Sequence, residues 1–404
     1  MATFRLNYEN LVSFKNRILE IDIRMKGKHL FIVYFYAYFV SNLITIFISV
    51  YLPVYFFNIL NVDKLELAIV QVFAYSVLLL KPFIAFYFDK NHSKIKLITI
   101  LSSYGIIFSF AFLLFFLSSL FLFGIFLGLG FIFSCLMDVS IDKFLLENPK
   151  QQKRLDKKVM VVQAGSIIGT IFINSVFLAV VRDIFIFSSW SLFFIILVLS
   201  TLPLGVVIFQ LKNSKISFKS SSSENITKID NKRIFLMCIF VFLAYADKLY
   251  EYPFEPWILE KFGETNFILF IQLLIILVFI NLIGIIIAGF ISSKFNKKKL
   301  LFVSSLTCGL LLLLIPFVDL IFIFIYFSII QILASFILVN MVSLIIKYSQ
   351  NKVLYFQIMV GFAILARILF VPLGTYLSGI IPTPVIILIS ALLIMSSCIP
   401  IVFL

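Results

Sequence analysis

The chain has 404 residues, is 62% hydrophobic, has a mean hydropathy of +1.15 and carries a net charge of +14. Soluble domains are about 45–50% apolar, so this composition excludes a soluble globular protein and predicts an integral membrane protein. The basic residues lie between apolar segments rather than in one soluble patch, which argues against a nucleic-acid partner.

The chain begins with a mixed, basic stretch, residues 1–29. About twelve apolar segments follow, each long enough to span a bilayer. We predict them near 30–57, 65–88, 97–117, 119–146, 159–181, 185–210, 234–257, 267–292, 300–318, 320–346, 353–380 and 383–404. The least marked boundaries are the third/fourth and the ninth/tenth, where only Ser118-Ser119 and Asp319 interrupt the apolar run.

The basic residues between these segments collect on one side of the predicted membrane. Most of the 33 Lys and Arg residues occur in the N-terminus and in the alternate loops 89–96, 147–158, 211–233, 293–299 and 347–352. The loops on the other side contain only Lys64, Arg182 and Lys261. This positive-inside bias predicts that both termini face the cytoplasm, and we expect a multi-pass protein of the plasma membrane.

One long polar connector divides the apolar segments into six and six. It contains the run K-S-S-S-S-E-N. A two-fold repeat of hydropathy is the common plan of secondary transporters. We predict a cytoplasmic segment at 1–29, an N-terminal six-helix bundle at 30–210, a cytoplasmic connector at 211–233 and a C-terminal six-helix bundle at 234–404, and we expect a monomer.

Two loops carry similar motifs at corresponding places in the two halves. After the second segment, residues 81–97 read K-P-F-I-A-F-Y-F-D-K-N-H-S-K-I-K-L, and after the eighth, residues 289–301 read G-F-I-S-S-K-F-N-K-K-K-L-L. Both resemble the loop signature of the major facilitator superfamily: a small residue, an acid four positions later, then basic residues. The resemblance covers essentially the whole chain at the level of architecture. It implies an all-α membrane protein of about twelve transmembrane helices with the fold of that family.

The two copies match the signature unequally. In the first copy Ala85 stands where the family usually has glycine; in the second Ser293 occupies the acidic position. The family implies that the acid of the first copy forms a latch that holds the two halves together in the outward-facing state. From the residues alone, an acid at the membrane edge can pair with a cation or cap a helix N-terminus, and lysines there can also be ordinary positive-inside anchors. We assign to the latch Asp89, Lys90, Lys94, Lys143 and Gly289.

Charged residues occur inside segments two, four, seven and eleven, and none occurs inside three, six, nine or twelve. In the superfamily the second set is peripheral, so the pattern agrees with a central polar path. At a rise of about 1.5 Å per residue, Lys81 and Asp138 lie roughly 12–13 Å inside the cytoplasmic face. Asp247 and Arg367 lie roughly 20–22 Å inside it. Because charges in hydrocarbon need partners, we predict that Lys81 pairs with Asp138, either in the path or as a purely structural lock, and Arg367 with Asp247 or Glu251.

The stretch 245–257, Y-A-D-K-L-Y-E-Y-P-F-E-P-W, is the most polar part of a predicted span. It contains three acids at intervals of four residues and two prolines: Asp247, Glu251, Glu255, Pro253 and Pro256. We predict that the prolines kink or end the helix, giving the kind of broken helix that transporters use for gating. Alternatively, the helix leaves the bilayer near Glu251 and Trp257 belongs to the aromatic belt. Asp247 and Glu251 are our candidates for ion coupling, because a buried carboxylate changes protonation with its surroundings.

Other polar and small residues suggest packing or interfacial roles. Asp142 and Lys143 lie near the cytoplasmic interface, where they snorkel or join the latch. Gly165 and Gly169 form a small-xxx-small face that favours helix packing. The four cysteines are scattered singly, so neither a metal site nor a disulfide framework is expected. The chain contains no phosphate-binding G-x-x-x-x-G-K-[ST] motif, which argues against an ATP motor, and we predict no cofactor.

We predict a secondary active transporter, not an enzyme, that moves a small solute by alternating access and is coupled to an ion, with the proton as our choice. Its partners would be a small-molecule solute, a co- or counter-transported proton and the lipid bilayer. Two other classes stay open. One is an intramembrane transferase, in which the acid pairs Asp138/Asp142 and Asp247/Glu251 hold Mg²⁺ and a diphosphate, although their depths differ too much for one shared site. The other is a non-transporting receptor. Acids and bases in one path fit a zwitterion, an anion or a cation.

Overall fold

The architecture is entirely helical over the residues that a computed structural model describes. These are 32–44, 46–47, 76–91, 94–116, 120–146, 155–180, 187–212, 230–251, 253–254, 257–258, 267–350 and 352–404. No strand occurs among them, which confirms the predicted all-α class. The predicted N-terminal segment, most of the connector and Glu255 lie outside the described residues.

Among the described residues, twelve helices follow one another, each overlapping one of the predicted segments, and a short helix continues the last. They are α1 (Ile32–Ile44), α2 (Lys81–Lys90), α3 (Ile95–Leu113), α4 (Leu120–Leu146), α5 (Leu155–Val180), α6 (Phe187–Lys212), α7 (Asn231–Ala244), α8 (Phe267–Ile291), α9 (Lys297–Leu314), α10 (Leu320–Tyr348), α11 (Val353–Leu377), α12 (Thr383–Ser396) and α13 (Cys398–Phe403). Eight of the helices so described are long and apolar enough to cross a membrane, and α1 and part of α8 form shorter apolar helices. We call α1 to α6 the N-terminal half and α7 to α13 the C-terminal half.

The two boundaries that the sequence marks least are both present. Helix α3 ends in a 3₁₀ turn, Leu114–Phe116, before α4 begins. Helix α9 ends in a second 3₁₀ turn, Ile315–Phe317, and Asp319 then stands at the N-cap of α10. Proline within that second turn cannot continue the helical hydrogen bonding, so one apolar run becomes two helices.

Helix α3 shows how these helices are built for a bilayer. Its residues Leu97, Leu101, Tyr104 and Phe108 recur every three or four positions and are all exposed. The buried face of the same helix carries small hydroxyl side chains, and Thr99 donates to the Ile95 carbonyl at 2.7 Å within the helix. An apolar surface outside and small polar groups inside invert the pattern of a soluble helix, as expected where lipid replaces water as the solvent.

The buried hydrophobic residues form two clusters that divide the molecule unequally. The larger cluster joins the N-terminal half to the end of α8, the end of α10 and the start of α11, through Ile285, Ala288, Val339, Leu344, Phe356 and Met359. The smaller cluster draws, among the described residues, only on the C-terminal half. The two halves therefore share a core at one end of the bundle. We call it the basic end, because the Lys-rich loops at 89–96, 293–299 and 347–352 lie there.

Candidate functional site

The first buried ion pair lies between α2 and α4. The Lys81 ammonium is 2.9 Å from Oδ2 of Asp138, and both side chains are nearly buried. Ser41 of α1 donates a further hydrogen bond of 3.1 Å to the same carboxylate oxygen. The structure thus brings together the two residues that the depth argument paired. Three helices converge on this one carboxylate, which satisfies a charge that would otherwise be costly in the interior.

One turn further along α4, Asp142 joins three helices in a different way. Tyr38 of α1 donates its hydroxyl to Oδ1, and Gln357 of α11 donates Nε2 to Oδ2 at 2.6 Å. Asp142 is only 5% exposed, so of the two roles predicted for it, snorkelling to the interface does not apply: two donors inside the bundle satisfy it. Its bond to Gln357 connects the two halves.

The predicted latch residue Asp89 stands at the end of α2 and faces α11. Its Oδ1 lies 2.7 Å from the Lys143 ammonium. The backbone amides of Val353 and Leu354 donate to the same carboxylate at 3.3 and 3.0 Å. These are orphan amides of the first turn of α11, whose own N-cap residue, Lys352, makes no side-chain capping bond. An acid of one half thus caps a helix of the other half, which the helix dipole also favours.

The other three latch candidates contribute differently. Lys90 lies over the ring of Phe86 on its own helix, 4.1 Å from the centroid, and Lys94 is exposed at the start of α3. Gly289 packs against α5, where a Cβ atom added to it would approach Met160 to 2.9 Å. The structure therefore brings Asp89 and Lys143 together, places Gly289 at a second contact between the halves, and leaves Lys90 and Lys94 at the surface.

The acidic stretch of the seventh segment is a 3₁₀ helix rather than the end of an α-helix. Helix α7 stops at Ala244, and Tyr245–Leu249 follows as 3₁₀. The α-helical hydrogen bonding thus changes eight residues before Pro253. Contacts with other helices accompany this change. The prediction that Pro253 and Pro256 kink or end the helix stays a prediction, because Pro256 lies outside the described residues.

Two helices pack against the backbone of this 3₁₀ segment. Ser390 of α12 donates to the Ala246 carbonyl. On α11, Gly374 lies so close to the Leu249 carbonyl that an added Cβ atom would collide with it. A 3₁₀ segment has poorer internal hydrogen bonds than an α-helix, and these neighbours contact the carbonyls that it exposes.

Three charged side chains cluster on the 3₁₀ segment and just after it, and the central one, Lys248, was not among the predicted site residues. Its ammonium is 3.3 Å from Asp247 and 3.2 Å from Glu251. The two carboxylic side chains are 40% and 43% exposed, whereas Lys248 is 15% exposed. Arg367 of α11 is close enough to interact electrostatically with Lys248 and Glu251. The ion-pair contact that the structure describes for Asp247 is therefore with its neighbour in sequence, and the lysine lies behind two accessible carboxylates.

Helix contacts inside each half use small and amide residues. Gly165 and Gly169 of α5 pack against the backbone carbonyls of Phe35 and Phe39 on α1, which confirms their packing role. Between α8 and α10, Asn281 donates to Gln331 at 2.7 Å. These contacts hold each half together rather than joining the two halves.

Four partner residues escaped the sequence reasoning as members of a site: Tyr38, Ser41, Lys248 and Gln357. Tyr38 and Ser41 lie three positions apart, which places them on one face of α1, and this spacing was the available signal. Lys248 was visible as a base between two acids. Nothing in the sequence indicates that Gln357, rather than another interior amide, meets Asp142.

Within the described residues, no group of three or more His, Cys, Asp or Glu side chains is arranged to hold a metal ion. The acids that would serve a metal are engaged by Lys81, Tyr38, Gln357 and Lys248. The arrangement is one of paired charges along a polar interior rather than a coordination site.

No protein-family model and no curated protein sequence matches the chain. Solved structures do. The transporter FucP of the major facilitator superfamily, in the outward conformation, matches with a TM-score of 0.71 at 14% identity, covering 92% of this chain and 98% of FucP. A variant of the E. coli fucose:proton symporter FucP matches with a TM-score of 0.67 at 16% identity, covering 93% and 97% of the two chains. The architecture that the loop motifs implied is thus confirmed: the chain has the fold of the major facilitator superfamily.

Proposed function

We propose that the protein is a secondary active transporter that moves a small solute through a membrane by alternating access, coupled to protons. The fold is that of transporters, and one of the similar structures is a fucose:proton symporter. At this low identity neither the sugar nor the proton is transferred by likeness alone, so the proposal rests on the residues of this chain.

The observation that carries the proposal is the position of the links between the halves. Asp89 with the first amides of α11, Asp142 with Gln357, and Gly289 with Met160 all lie at the basic end. An individual hydrogen bond contributes only about 0.5–1.5 kcal/mol net. A few such bonds close one end of the path firmly enough to define a state, yet weakly enough to reopen in each cycle.

The proposed path runs between this closed end and the 3₁₀ segment of α7. Asp247 and Glu251 present accessible carboxylates there, and Arg367 contributes a cation from α11. Lys81 and Asp138 lie deeper toward the basic end as a closed pair. The accessible carboxylates would bind a polar solute, and the paired charges nearer the basic end would form part of the closed gate.

The competing transferase hypothesis requires acids that are free to hold Mg²⁺ and a diphosphate. Asp138 and Asp142 are occupied by donors from α1, α2 and α11, and Asp247 and Glu251 share a lysine. The two similar solved structures reported above are both of the transporter FucP. Both observations favour a carrier over an enzyme.

We further propose that the basic end faces the cytoplasm, in a monomer of the plasma membrane whose two bundles, 30–210 and 234–404, are joined by the connector 211–233. The excess of Lys and Arg at that end supports the orientation. Cysteines introduced at Lys299 and Ile380, which are exposed near opposite ends of the bundle, should react with an impermeant thiol reagent from opposite sides. Reaction of both from outside would contradict the topology.

The function is tested by uptake into proteoliposomes, with a panel of sugars, amino acids, amines and organic acids and with or without an inward proton gradient. A disulfide cross-link between the two halves supplies the matched control for uptake. Pro82 and Gly361 face each other across the halves, with the Pro82 ring 4.0 Å from where a Cβ atom of Gly361 would lie. The variant Pro82→Cys/Gly361→Cys should lose uptake on oxidation and regain it on reduction. Native thiols interfere little, since all four cysteines are buried.

Uptake that is stimulated by the gradient and stopped reversibly by the cross-link supports coupled alternating access. Uptake that the gradient leaves unchanged would retain the carrier and remove the proton coupling. Uptake that persists in the oxidised, cross-linked variant would contradict alternating access at the basic end.

A further inference from the structure

The carboxylate of Asp142 accepts hydrogen bonds from one side chain of each half of the molecule. It is buried where α1, α4 and α11 meet. Each of its oxygens has one donor: Tyr38 from its own half and Gln357 from the other half, the latter at 2.6 Å. Any change in the charge of Asp142 therefore acts directly on a bond between the halves.

The groups around Asp142 leave its charge without a dedicated cation in the described contacts. The titratable and charged residues that face it are Tyr34 and Tyr38 from α1, Lys81 from α2 and Asp138 from α4 itself. Helix α11 contributes the neutral Gln357. Lys81 is in contact with Asp138, and the neighbouring Lys143 is in contact with Asp89. Two neutral donors thus hold the carboxylate, so gaining a proton would change the strength of both of its hydrogen bonds.

Protonation would alter both hydrogen bonds of this carboxylate. An ionised carboxylate only accepts hydrogen bonds, whereas a carboxylic acid also donates one. A hydrogen bond to an ionised acceptor is roughly twice as strong as one to a neutral acceptor, so the Gln357 bond weakens when Asp142 is neutral. The buried Tyr34 hydroxyl, which interacts electrostatically with Asp142 and has no hydrogen-bond partner within the described part of the structure, could accept from the new O–H only after one of the two side chains moves. Protonation of Asp142 therefore weakens a hydrogen bond that joins the two halves.

We propose that Asp142 is the proton-responsive residue of the gate at the basic end. The ionised side chain holds the gate closed through Gln357. A proton taken from water neutralises it and releases α11, and loss of that proton to water restores the closed gate. This inference rests on the proposed function, because it requires that the halves separate at this end. It assigns the proton to Asp142 rather than to Asp247 or Glu251, whose shared partner Lys248 lies within the C-terminal half.

The test measures the separation of the halves at the basic end as a function of pH, and it needs no substrate. Spin labels are placed at Lys96→Cys on α3 and Lys299→Cys on α9, one in each half, in full-length protein whose four native cysteines are replaced by serine. Pulsed electron paramagnetic resonance in lipid nanodiscs then gives the populations of short and long distances between pH 5 and pH 8.

We expect the ratio of long to short distances to rise as the pH falls, by up to about tenfold per pH unit, as one linked proton allows. Asp142→Asn should abolish the pH response and favour the long distance at every pH. Gln357→Leu should do the same from the α11 side, which keeps the test decisive if Asp142→Asn fails to fold. Asp247→Asn, the same chemical change on the 3₁₀ segment, should retain the pH response.

A wild-type distance distribution that ignores pH would overturn the assignment, and so would an unchanged pH response in both Asp142→Asn and Gln357→Leu. Loss of the pH response in Asp247→Asn alone would assign the proton-responsive role to Asp247 instead of Asp142. These failures differ from failure of the proposed function. If solute uptake is measured while the distances ignore pH, the carrier stands and the role of Asp142 falls. A single distance under all conditions, without uptake of any solute, contradicts both.

Discussion

The two groups of interior charges are stabilised in contrasting ways. In the N-terminal half, Asp138 and Asp142 receive their partners from α1, α2 and α11, and both are buried. In the C-terminal half, Asp247 and Glu251 share one lysine from the same short segment and remain accessible. The first group is stabilised by residues of other helices, and the second by a residue close to it in sequence.

The source of the partners determines what each group can do. A carboxylate whose donors come from several helices changes the packing of those helices when its charge changes. A carboxylate whose partner is a near neighbour in sequence can exchange that partner for a solute without disturbing the bundle. We therefore expect substitutions in the first group to affect stability and gating strongly, and substitutions in the second group to affect mainly solute binding.

The largest effect is expected from breaking the buried pair of the N-terminal half. Lys81→Met leaves the Asp138 carboxylate buried without its cation, which should cost about 3–5 kcal/mol of unfolding free energy. The double variant Lys81→Met/Asp138→Leu should recover most of that loss, because both charges are gone. Unfolding in detergent monitored by circular dichroism measures both. If the single variant were as stable as wild type, the two charge groups would not differ in the way described. Uptake by the double variant then separates a structural lock from a path residue.

The next largest effect is expected where α11 packs against the 3₁₀ segment that carries Asp247 and Lys248. Gly374→Ala places a methyl group against the Leu249 carbonyl, and we expect a loss of about 1–3 kcal/mol as for other overpacked interiors. Gly128→Ala on α4 is the matched control, because a Cβ atom there meets nothing within 4 Å. That control should be neutral or more stable by up to about 1 kcal/mol, since alanine is the better helix former. Equal thermal stability of the two variants would mean that the 3₁₀ segment adapts freely.

A smaller effect is expected at the latch. Asp89→Asn keeps an oxygen for one amide of α11 but loses the charge, so we expect a loss of about 0.5–2 kcal/mol, in the range of helix caps. The inward/outward balance should shift toward opening of the basic end. The accessibility of cysteines introduced along the path measures that shift.

Ser293→Ala is the control for the latch, at the corresponding place in the second loop. Ser293 is exposed and donates to the Phe290 carbonyl of its own helix, so its removal should change neither stability nor accessibility. A shift of the same size in both variants would show that the loops act only through general surface properties.

The smallest effect on stability is expected for Asp247→Asn. Accessible ion pairs contribute about 0–1 kcal/mol, so unfolding should change little while gradient-driven uptake is lost. A double-mutant cycle identifies the partner: Asp247→Asn should be non-additive with Lys248→Met and more nearly additive with Arg367→Gln. The sequence-based pairing predicts instead that Asp247→Asn is non-additive with Arg367→Gln, so the cycle decides between the two partners. Full uptake by Asp247→Asn would remove the residue from the path.

Much of the architecture could be predicted because bilayer thickness constrains it. Apolar runs of sufficient length become helices, since a backbone in lipid must satisfy its own hydrogen bonds. The contact of Lys81 with Asp138 followed from counting residues to the membrane edge, because helix rise is nearly constant. Arguments of this kind succeed where depth alone selects a partner.

Depth could not determine the remaining contacts. Helices α11 and α12 contact the backbone of the 3₁₀ segment at Gly374 and Ser390, and no local pattern in residues 245–249 records those contacts. The prolines predict a break, and the α-helical hydrogen bonding already changes eight residues before the first of them. The link from Asp142 to Gln357 depends on how α11 is rotated about its axis, which hydropathy does not fix when most faces of a helix are apolar.

The second loop carries serine where the first carries the capping acid, and this difference makes the two seams between the halves chemically unlike. At the α2–α11 seam the halves are joined by a charge and two amides; at the α5–α8 seam Gly289 and Met160 join them by van der Waals contact. Hydrogen bonds require a defined distance and angle, whereas the packing of Met160 on Gly289 is non-directional and tolerates sliding. If the basic end opens as proposed, the seam between α2 and α11 must break its hydrogen bonds, whereas the seam between α5 and α8 can keep its contact while the helices slide.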